Sequence, residues 1–300
     1  ELLFKSANSI KKLVIEGIVT KLLFLISLFL NVIFFESNNF ENECLEAVPV
    51  CEKYLCNMAT PQHPVDVLAF GAHPDDVELS AGATLAKLAS EGKRCAVVDL
   101  TRGELGTRGS AELRDQEAAK SAEILGLVHR ENLGLADGFF EVNDASLRLV
   151  ISAIRRLRPA VVLANALDDR HPDHGRGAEL VARAAFLSGL PKIVTGTDDA
   201  PEEAWRPKAV YHYIQDVHRT PDVVVDVTGF LDTKFEAILA FSSQFHDPAS
   251  EEPETPISGP GFLEHVRGKA TSFGRPAGFT HGEGYEVRRP VGVSSLLELD

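Results

Sequence analysis

The sequence predicts an α/β fold: a Rossmann-like, mostly parallel sheet with helices on both faces. Short apolar runs, which are typical of buried strands, alternate with stretches whose apolar residues recur at helical spacing. This alternation favours βαβ units, in which the strands lie parallel and the helices cover the sheet. The 300 residues, of which 44% are hydrophobic, are enough for one large domain with a substantial core.

The predicted elements follow in order from Val65. An apolar run bounded by turn residues marks each strand, and the predicted strands are 65–72, 95–100, 160–165, 210–214 and 223–227. Helical periodicity marks the predicted helices, which are 77–92, 110–126, 174–189 and 231–245. Segment 247–261 is rich in Pro and Glu and therefore predicts an irregular loop, at the rim of a site or in a subunit contact.

Residues 1–57 differ in composition from the rest of the chain. They contain no arginine and are rich in Phe, Ile, Lys and Asn, whereas the sequence after Met58 is rich in Ala, Arg, Gly and Val. We therefore divide the chain into an N-terminal extension, 1–57, and a functional domain, 58–300. The apolar segment 21–35 fits a membrane anchor, a secretion signal or sequence foreign to the functional protein. The change in composition favours the third interpretation, so no stable membrane association is expected for the domain.

Net charge and cysteine content limit the kinds of binding partner and the cellular compartment that the sequence predicts. A net charge of −14 argues against a surface for nucleic acid and favours a small-molecule partner. The four cysteines show no zinc-binding spacing, and Cys95 lies in an apolar run that predicts a buried thiol. This usage fits a reducing cytoplasm. The glycines of 101–109 match no nucleotide-binding fingerprint and are interpreted as turn formers.

Three loops carry most of the chemically suggestive residues. They follow the predicted strands after Phe70, Leu100 and Asn165, and they read GAHPDD, TRGELGTRG and ALDDRHPDH. In open parallel sheets, ligands bind beyond the carboxyl ends of the strands. We therefore expect the three loops to converge on one crevice.

The first loop places a histidine and two aspartates where a helix is predicted to begin. With a helix starting near Pro74, His73 and Asp76 lie three residues apart in the first turn and reach the same point, while Asp75 points elsewhere. Aspartate also caps helix N-termini. HPDD alone is therefore equally consistent with a capping role.

The motif HPDH, which follows another predicted strand, favours a metal. Two imidazoles and one carboxylate with an open position are typical of catalytic zinc. The predicted ligands are His73, Asp76 and His174. The same donors also suit ferrous iron, as in the facial triad of oxygenases. Because Asp75 and His171 remain beside the metal as acid–base groups, the pattern favours hydrolysis of a carbonyl compound.

From Val65 onward the chain resembles the PIG-L/LmbE family of zinc-dependent N-acetylglucosaminyl deacetylases, whose hallmark is the pair AHPDD (72–76) and HPDH (171–174). Segments such as ENLGLADGFF and LANALDDRHPDH are most similar to bacterial enzymes that deacetylate N-acetylglucosaminyl-malate in bacillithiol synthesis. The resemblance implies an amidohydrolase that releases acetate and glucosaminyl-malate with Zn²⁺, or alternatively Fe²⁺, as cofactor. It also implies a homo-oligomer, with a hexamer as the expected state. The segment GFTHGEGYEV departs from the family pattern.

The resemblance gives the same three metal ligands and adds roles for other residues. Asp75 would be the general base, and His171 would stabilise the oxyanion as a protonated imidazole. Asp173 would orient that imidazole and keep it charged. Arg114 matches the arginine with which the family holds sugar hydroxyls, although its place also fits a helix-surface ion pair.

Malate would add two carboxylates, which arginine binds in a bidentate manner. Further candidates for this role in the site loops are Arg102, Arg108 and Arg170. Each also fits a solvated charge, or an ion pair with Glu104, Asp168 or Asp169.

Other functions stay open on the sequence. The same chemistry would serve an N-acetylglucosaminyl-inositol or a chitooligosaccharide. A non-haem iron oxygenase would leave Asp75 without a role, and a two-metal phosphodiesterase would need more bridging ligands. A sugar-binding module would have no use for an open metal position.

Overall fold

The computed structural model describes residues 63–197, 199–245 and 251–298. Nine strands occur in this part of the chain: β1 Val67–Gly71, β2 Cys95–Thr101, β3 His129–Leu135, β4 Val161–Ala164, β5 Gly196–Thr197, β6 Ala200–Pro201, β7 Ala209–Tyr213, β8 Val223–Asp226 and β9 Gly282–Glu286. The α-helices are α1 Asp76–Ser90, α2 Ala111–Ile124, α3 Asp144–Leu157, α4 Pro172–Leu187, α5 Leu231–Leu239 and α6 Phe262–Gly274.

Seven strands form one sheet in the order β3-β2-β1-β4-β7-β9-β8, and β5 and β6 form a separate small ribbon. The five strands from β3 to β7 pair in parallel, whereas β9 pairs antiparallel with both β7 and β8. The chain moves outward from β1 through β2 to β3 and then returns to place β4 on the other side of β1. The carboxyl ends of β1 and β4 therefore flank the point at which the strand order reverses, where open sheets bind ligands.

Both faces of the sheet are covered, because successive residues of β1 point to opposite sides. Leu68 and Phe70 belong to a core shared with α3 and α4. Val67 and Ala69 belong to a second core shared with α1. A further apolar cluster joins α1, α2, α5 and α6 and thickens the molecule on the α1 side.

The predicted fold class is confirmed, and the structure changes several boundaries. Helix α5 ends at Leu239 rather than 245, and the loop from Glu251 leads into α6, which the sequence analysis does not predict. Strands β3 and β9 and helix α3 are likewise not predicted. β3 is rich in charged residues and β9 is rich in glycine and glutamate, so neither resembles an apolar strand.

The proposed N-terminal extension and its boundary at Met58 lie outside the described residues, so that division stays a prediction. Among the described helices, none combines the length and the apolar character needed to cross a bilayer. Cys95 is fully buried in β2, as its apolar surroundings predict, and burial raises the pKa of its thiol to about 12.

Candidate active site

Five strand ends contribute to one pocket of about 300 Å³ at the carboxyl edge of the sheet. The loops after β1, β2 and β4 all line it, as the sequence predicts, and the loops after β3 and β7 join them. Residues from the β1 and β4 loops that line the pocket are His73, Asp75, Asp76, Arg170, His171 and His174. The two His-Pro-Asp motifs therefore face the same space.

Helix α1 begins at Asp76, one residue before the predicted segment 77–92 and two residues after Pro74, the start assumed for the HPDD motif. Its N-cap is Asp75, which has φ 118° and ψ −25°, in the left-handed region that non-glycine residues seldom adopt. The side chain of Asp75 makes no capping hydrogen bond. A carboxylate that is buried in a strained backbone and does not cap its helix is better explained by a role in the pocket.

Asp76 lies between two imidazoles. Its Oδ2 is 3.6 Å from Nδ1 of His73, and its Oδ1 is 3.2 Å from Nε2 of His174. Two ligands that are each about 2.0 Å from a tetrahedral zinc lie about 3.3 Å apart. Each of these two distances therefore suits a pair of ligands to a small divalent cation.

The other nitrogen of each imidazole faces a carboxylate. Nε2 of His73 is 3.0 Å from Asp137 Oδ1, and Nδ1 of His174 is 2.5 Å from Asp169 Oδ2. Such outer carboxylates fix the tautomer and orientation of metal-binding histidines. Both are themselves held by backbone amides, Asp137 by Leu105 N–H and Asp169 by Val217 N–H.

Two groups of three described residues have donor atoms that all lie within 4.8 Å of one another, and neither includes Asp76, so the predicted ligand set stays a prediction. One consists of His73, His171 and His174, and the other of His73, Asp137 and Asp173. Both include His73. The carboxylate of Asp173, however, already accepts hydrogen bonds from Gly138 N–H and from Arg176.

The field at this site favours positive charge. Burial lowers the pKa of His174, but the charge of Asp76 and the hydrogen bond to Asp169 outweigh burial and raise it to about 9. Burial also lowers the pKa of His73, yet the carboxylates of Asp137, Asp173 and Asp76 raise it well above its usual value. An arrangement that stabilises protonated imidazoles also stabilises a cation held between them.

The pKa values of Asp75 and Asp76 are shifted in opposite directions. Burial raises the pKa of Asp75 to about 7, and the nearby charge of Asp76 raises it while Arg114 opposes the shift. A carboxylate with a pKa near neutrality is suited to accept and return a proton. For Asp76, burial acts to raise the pKa, but His174 and His73 outweigh it and hold the pKa well below its usual value.

The expected contact of Asp173 with His171 is replaced by another arrangement. His171 is the N-cap of α4, and its Nδ1 accepts from the backbone N–H of Asp173 at 3.3 Å, while the Asp173 carboxylate binds Gly138 and Arg176. Burial lowers the pKa of His171, and the charges of His73 and His174 lower it further. The lowered pKa and the contact of Nδ1 with an N–H group favour a neutral ring that carries its proton on Nε2, instead of the protonated imidazole predicted from the sequence.

The four arginines are placed differently. Arg114 lines the pocket and packs so tightly on Gly103, at φ 63°, that a Cβ there would overlap its Nη1. Arg170 lines the pocket and pairs with Asp216 at 2.5 Å. The remaining two do not line it: Arg102 pairs with Asp115 and Glu112 at the surface, and buried Arg108 pairs with Glu252.

The chain is similar in sequence and in fold to known proteins. A model of the family described as PIG-L, GlcNAc-PI de-N-acetylase, matches residues 68–185. The crystal structure of the conserved protein TT1542 from Thermus thermophilus is 34% identical and has a TM-score of 0.69, over 77% of this chain and 98% of that one. The chain belongs to the PIG-L family.

Relatives of this PIG-L protein have more than one activity. Diacetylchitobiose deacetylase of Thermococcus kodakarensis is 28% identical over 73% of this chain and 81% of its own. A 1D-myo-inositol 2-acetamido-2-deoxy-alpha-D-glucopyranoside deacetylase of Acidothermus cellulolyticus is 25% identical over 59% of this chain and 79% of its own. 4-Oxalmesaconate hydratase of Pseudomonas putida is 27% identical over 63% of this chain and 77% of its own.

Four side chains around the centre of this PIG-L site were not predicted from the sequence to belong to it. Asp137 and Asp169 contact the histidines, and Asn165 Nδ2 and Gln215 Nε2 donate to the Asp76 carboxylate at 3.0 and 2.5 Å. All four follow a strand at the same sheet edge. Strand-end position was the signal that could have found them, and only for Asp137 did it also require β3 to be recognised as a strand.

Proposed function

We propose that this PIG-L protein is a metal-dependent deacetylase of N-acetylglucosamine conjugates. The observation that carries the proposal is the pair of adjacent aspartates, Asp76 between two imidazoles and Asp75 beside them with a pKa of about 7. Family membership and the named deacetylases among the relatives support it.

The donor set fits a divalent cation. His73, Asp76 and His174 would hold it, with Asp137 and Asp169 orienting the two imidazoles. Nitrogen and oxygen donors of this kind accept zinc and ferrous iron, so Zn²⁺ is the proposed ion and Fe²⁺ the alternative. When bound, such an ion lowers the pKa of water and polarises a carbonyl oxygen.

Asp75 would take the proton of the attacking water and later return it to the leaving amine. Its backbone holds the carboxylate in the pocket instead of at the helix end, and burial keeps its pKa near neutrality. A base whose pKa lies near the working pH can perform both transfers.

His171 would stabilise the oxyanion as a neutral donor. Its Nδ1 is occupied by the N–H of Asp173, so the Nε2–H is free to donate toward the developing charge. Arg114 would hold hydroxyl groups of the sugar. The guanidinium of Arg114 lines the pocket and is held there by a hydrogen bond from its Nη2 to Gln244.

The finer substrate assignment stays open to test. N-acetylglucosaminyl-malate is the predicted substrate, and an inositol conjugate or a chitooligosaccharide is the alternative. A cytoplasmic location, a homo-oligomer and a hexamer likewise stay predictions. Size-exclusion chromatography with light scattering would test the assembly.

Acetate release tests the proposed reaction. The protein is stripped with a chelator, reloaded with Zn²⁺ or Fe²⁺, and incubated with N-acetylglucosamine and its conjugates. We expect acetate only from the reloaded protein. The hydratase relative motivates a second candidate, addition of water to a carbon–carbon double bond. Turnover of 4-oxalmesaconate, without acetate release from any amide, would favour that reaction and contradict ours.

A further inference from the structure

Arg114 extends from helix α2 to the pocket through a narrow space between two other parts of the chain. On one side is the loop after β2, where Gly103 and Gly106 lie against the guanidinium group, and a Cβ at Gly106 would lie 3.0 Å from its Nη2. On the other side is the segment that follows α5, which contains Gln244. The position of the guanidinium group is therefore set by contacts on both sides.

Gln244 bonds this guanidinium group through an amide that has only one suitable orientation. Its Oε1 accepts from Nη2 of Arg114, and its Nε2 donates to the carbonyl of Arg108 at 3.0 Å and to Oγ of Ser243 at 2.7 Å. Because a guanidinium group only donates and a carbonyl only accepts, exchanging the two amide atoms would break both contacts. Gln244 is 4% exposed and, unlike Arg114, does not line the pocket. We therefore expect it to act on a bound substrate through Arg114.

The segment that carries Gln244 is anchored to the same helix as Arg114. The carboxylate of Glu117, which lies one helical turn after Arg114, accepts from the backbone N–H of Ser243 at 2.8 Å and from its Oγ at 2.7 Å. Glu117 and Ser243 are both buried, and Gly109 leaves room for them, because a Cβ there would lie 2.8 Å from Oγ of Ser243. Buried side chains that bond one another in this way are held in one arrangement. The contacts connect α2 to Ser243, to Gln244 and back to Arg114.

We propose that Gln244 is a positioning residue: it holds the guanidinium group of Arg114 at the pocket, where that group binds hydroxyl groups of the acetylated sugar. The proposal rests on the proposed deacetylase function, including the role of Arg114, and deepens it. It gives Arg108 a role other than binding malate, because the carbonyl of Arg108 orients the amide of Gln244. Affinity for the sugar then depends on a segment outside the loops that carry the histidines.

A double-mutant cycle tests this proposal. The metal-loaded full chain is assayed by acetate release with whichever of N-acetylglucosaminyl-malate, an N-acetylglucosaminyl-inositol and N,N′-diacetylchitobiose the parent hydrolyses fastest. Arg114→Ala should lower kcat/KM by about tenfold or more, the scale of losing a hydrogen bond from a charged group. Gln244→Met should raise KM severalfold and change kcat by less than about twofold, since the arginine keeps its charge and loses only its position. In the Arg114→Ala background, Gln244→Met should change kcat/KM by less than about twofold, because no guanidinium group is left to position.

The variants are chosen to separate the amide of Gln244 from its packing. Methionine is close to glutamine in length and volume, so Gln244→Met removes the amide without leaving a large cavity. Ser243→Ala is a milder second variant, which removes one bond that orients the amide and should raise KM in the same direction. Ser242→Ala is the matched control, because the exposed Ser242 bonds Glu117 at 3.1 Å and is not bonded to the amide. It should keep the kcat and KM of the parent, and all variants should keep its metal content.

The outcomes separate this proposal from the proposed function. No acetate from any substrate removes the deacetylase itself, and the role of Gln244 with it. With an active parent, the positioning role alone is overturned by a parental KM in both Gln244→Met and Ser243→Ala, or by a loss confined to kcat or accompanied by loss of metal. It is also overturned if Arg114→Ala has no effect, or if Gln244→Met costs as much without Arg114 as with it. A raised KM that disappears in the Arg114→Ala background supports the proposal.

Discussion

The two His-Pro-Asp loops share three residues of sequence and differ in how they start a helix. After β4, His171 is the N-cap of α4 in an extended conformation, and its ring caps the helix through Nδ1. After β1, the helix starts later, so the N-cap is Asp75, in a left-handed conformation and without a cap. The N-cap side chain of the β4 loop bonds the helix that follows it, whereas the N-cap side chain of the β1 loop makes no capping bond and lines the pocket.

This difference assigns separate roles to the two loops. Each supplies an imidazole backed by a carboxylate, so the metal would be shared between them. Only the β1 loop also places a carboxylate with a pKa near neutrality in the pocket. A repeated motif therefore predicts a shared ligand set, while the helix start decides which residue remains free to react.

Replacing a ligand from either loop should have the largest effect. Asp76→Asn and His174→Ala each remove one proposed donor, so we expect loss of bound metal and of acetate release together. Metal content by plasma mass spectrometry, measured beside turnover, checks this. Full metal content in both variants would mean that the ligand set is incorrect.

Replacing the carboxylate that contacts each histidine should have a smaller effect on metal binding, similar for the two histidines. Asp137→Asn and Asp169→Asn should each weaken metal affinity about 10- to 100-fold, because each imidazole loses its oriented partner. Competition with a fluorescent chelator measures the affinities. Asp168→Asn, an exposed neighbour in the β4 loop that pairs with Arg219, is the matched control. Unchanged affinity in both variants would contradict the proposed orientation.

Sequence predicted the parts of the site that depend on strand ends. β1, β2 and β4 are apolar runs, and their order in the chain is enough to bring their loops together. It did not predict β9, because the buried Glu283 of that strand accepts from N–H groups of α1 and pairs with Lys234, and such partners cannot be read from the sequence. Helix α6, which also borders the pocket, was not predicted either.

The ion pairs of the arginine side chains could not be predicted from the sequence either. Arg102 and Arg108 follow β2 in the same loop as pocket residues, yet both bind carboxylates far along the chain or at the surface. The left-handed N-cap at Asp75 was not predicted, because an unusual backbone leaves no mark in the sequence HPDD. Charged residues in a loop indicate a site, but not which of them face it.

Acid should destabilise the fold through a buried histidine of β7 that contacts the start of the β4 loop. His212 on β7 is buried, its Nδ1 bonds the carbonyl of Asn165, and burial lowers its pKa to about 4. The unfolded ring titrates near 6.5, so its contribution is complete above that pH and is lost as the pH falls toward 4. We expect up to about 3 kcal/mol of destabilisation by this group.

Urea unfolding between pH 8 and pH 4.5 measures this loss. In His212→Asn the unfolding free energy should fall less steeply with acid than in the parent. Parallel pH profiles for the two proteins would contradict a neutral buried His212.

Relieving the backbone at Asp75 should have the smallest effect. Asp75→Gly should be more stable to urea than Asp75→Ala by about 1 kcal/mol, because only glycine adopts φ 118° without strain. Both variants lack the carboxylate, so their difference reports the backbone alone. Equal stability would show that the β1 loop is not strained.

The division of roles between the loops is tested most directly by Asp75→Asn. The substitution keeps the shape of the side chain and removes its ability to accept a proton, while the proposed ligands are untouched. The account predicts metal content equal to that of the parent and a rate of acetate release lower by about a hundredfold to ten-thousandfold. A variant that binds metal and releases acetate at close to the parent rate would contradict the account.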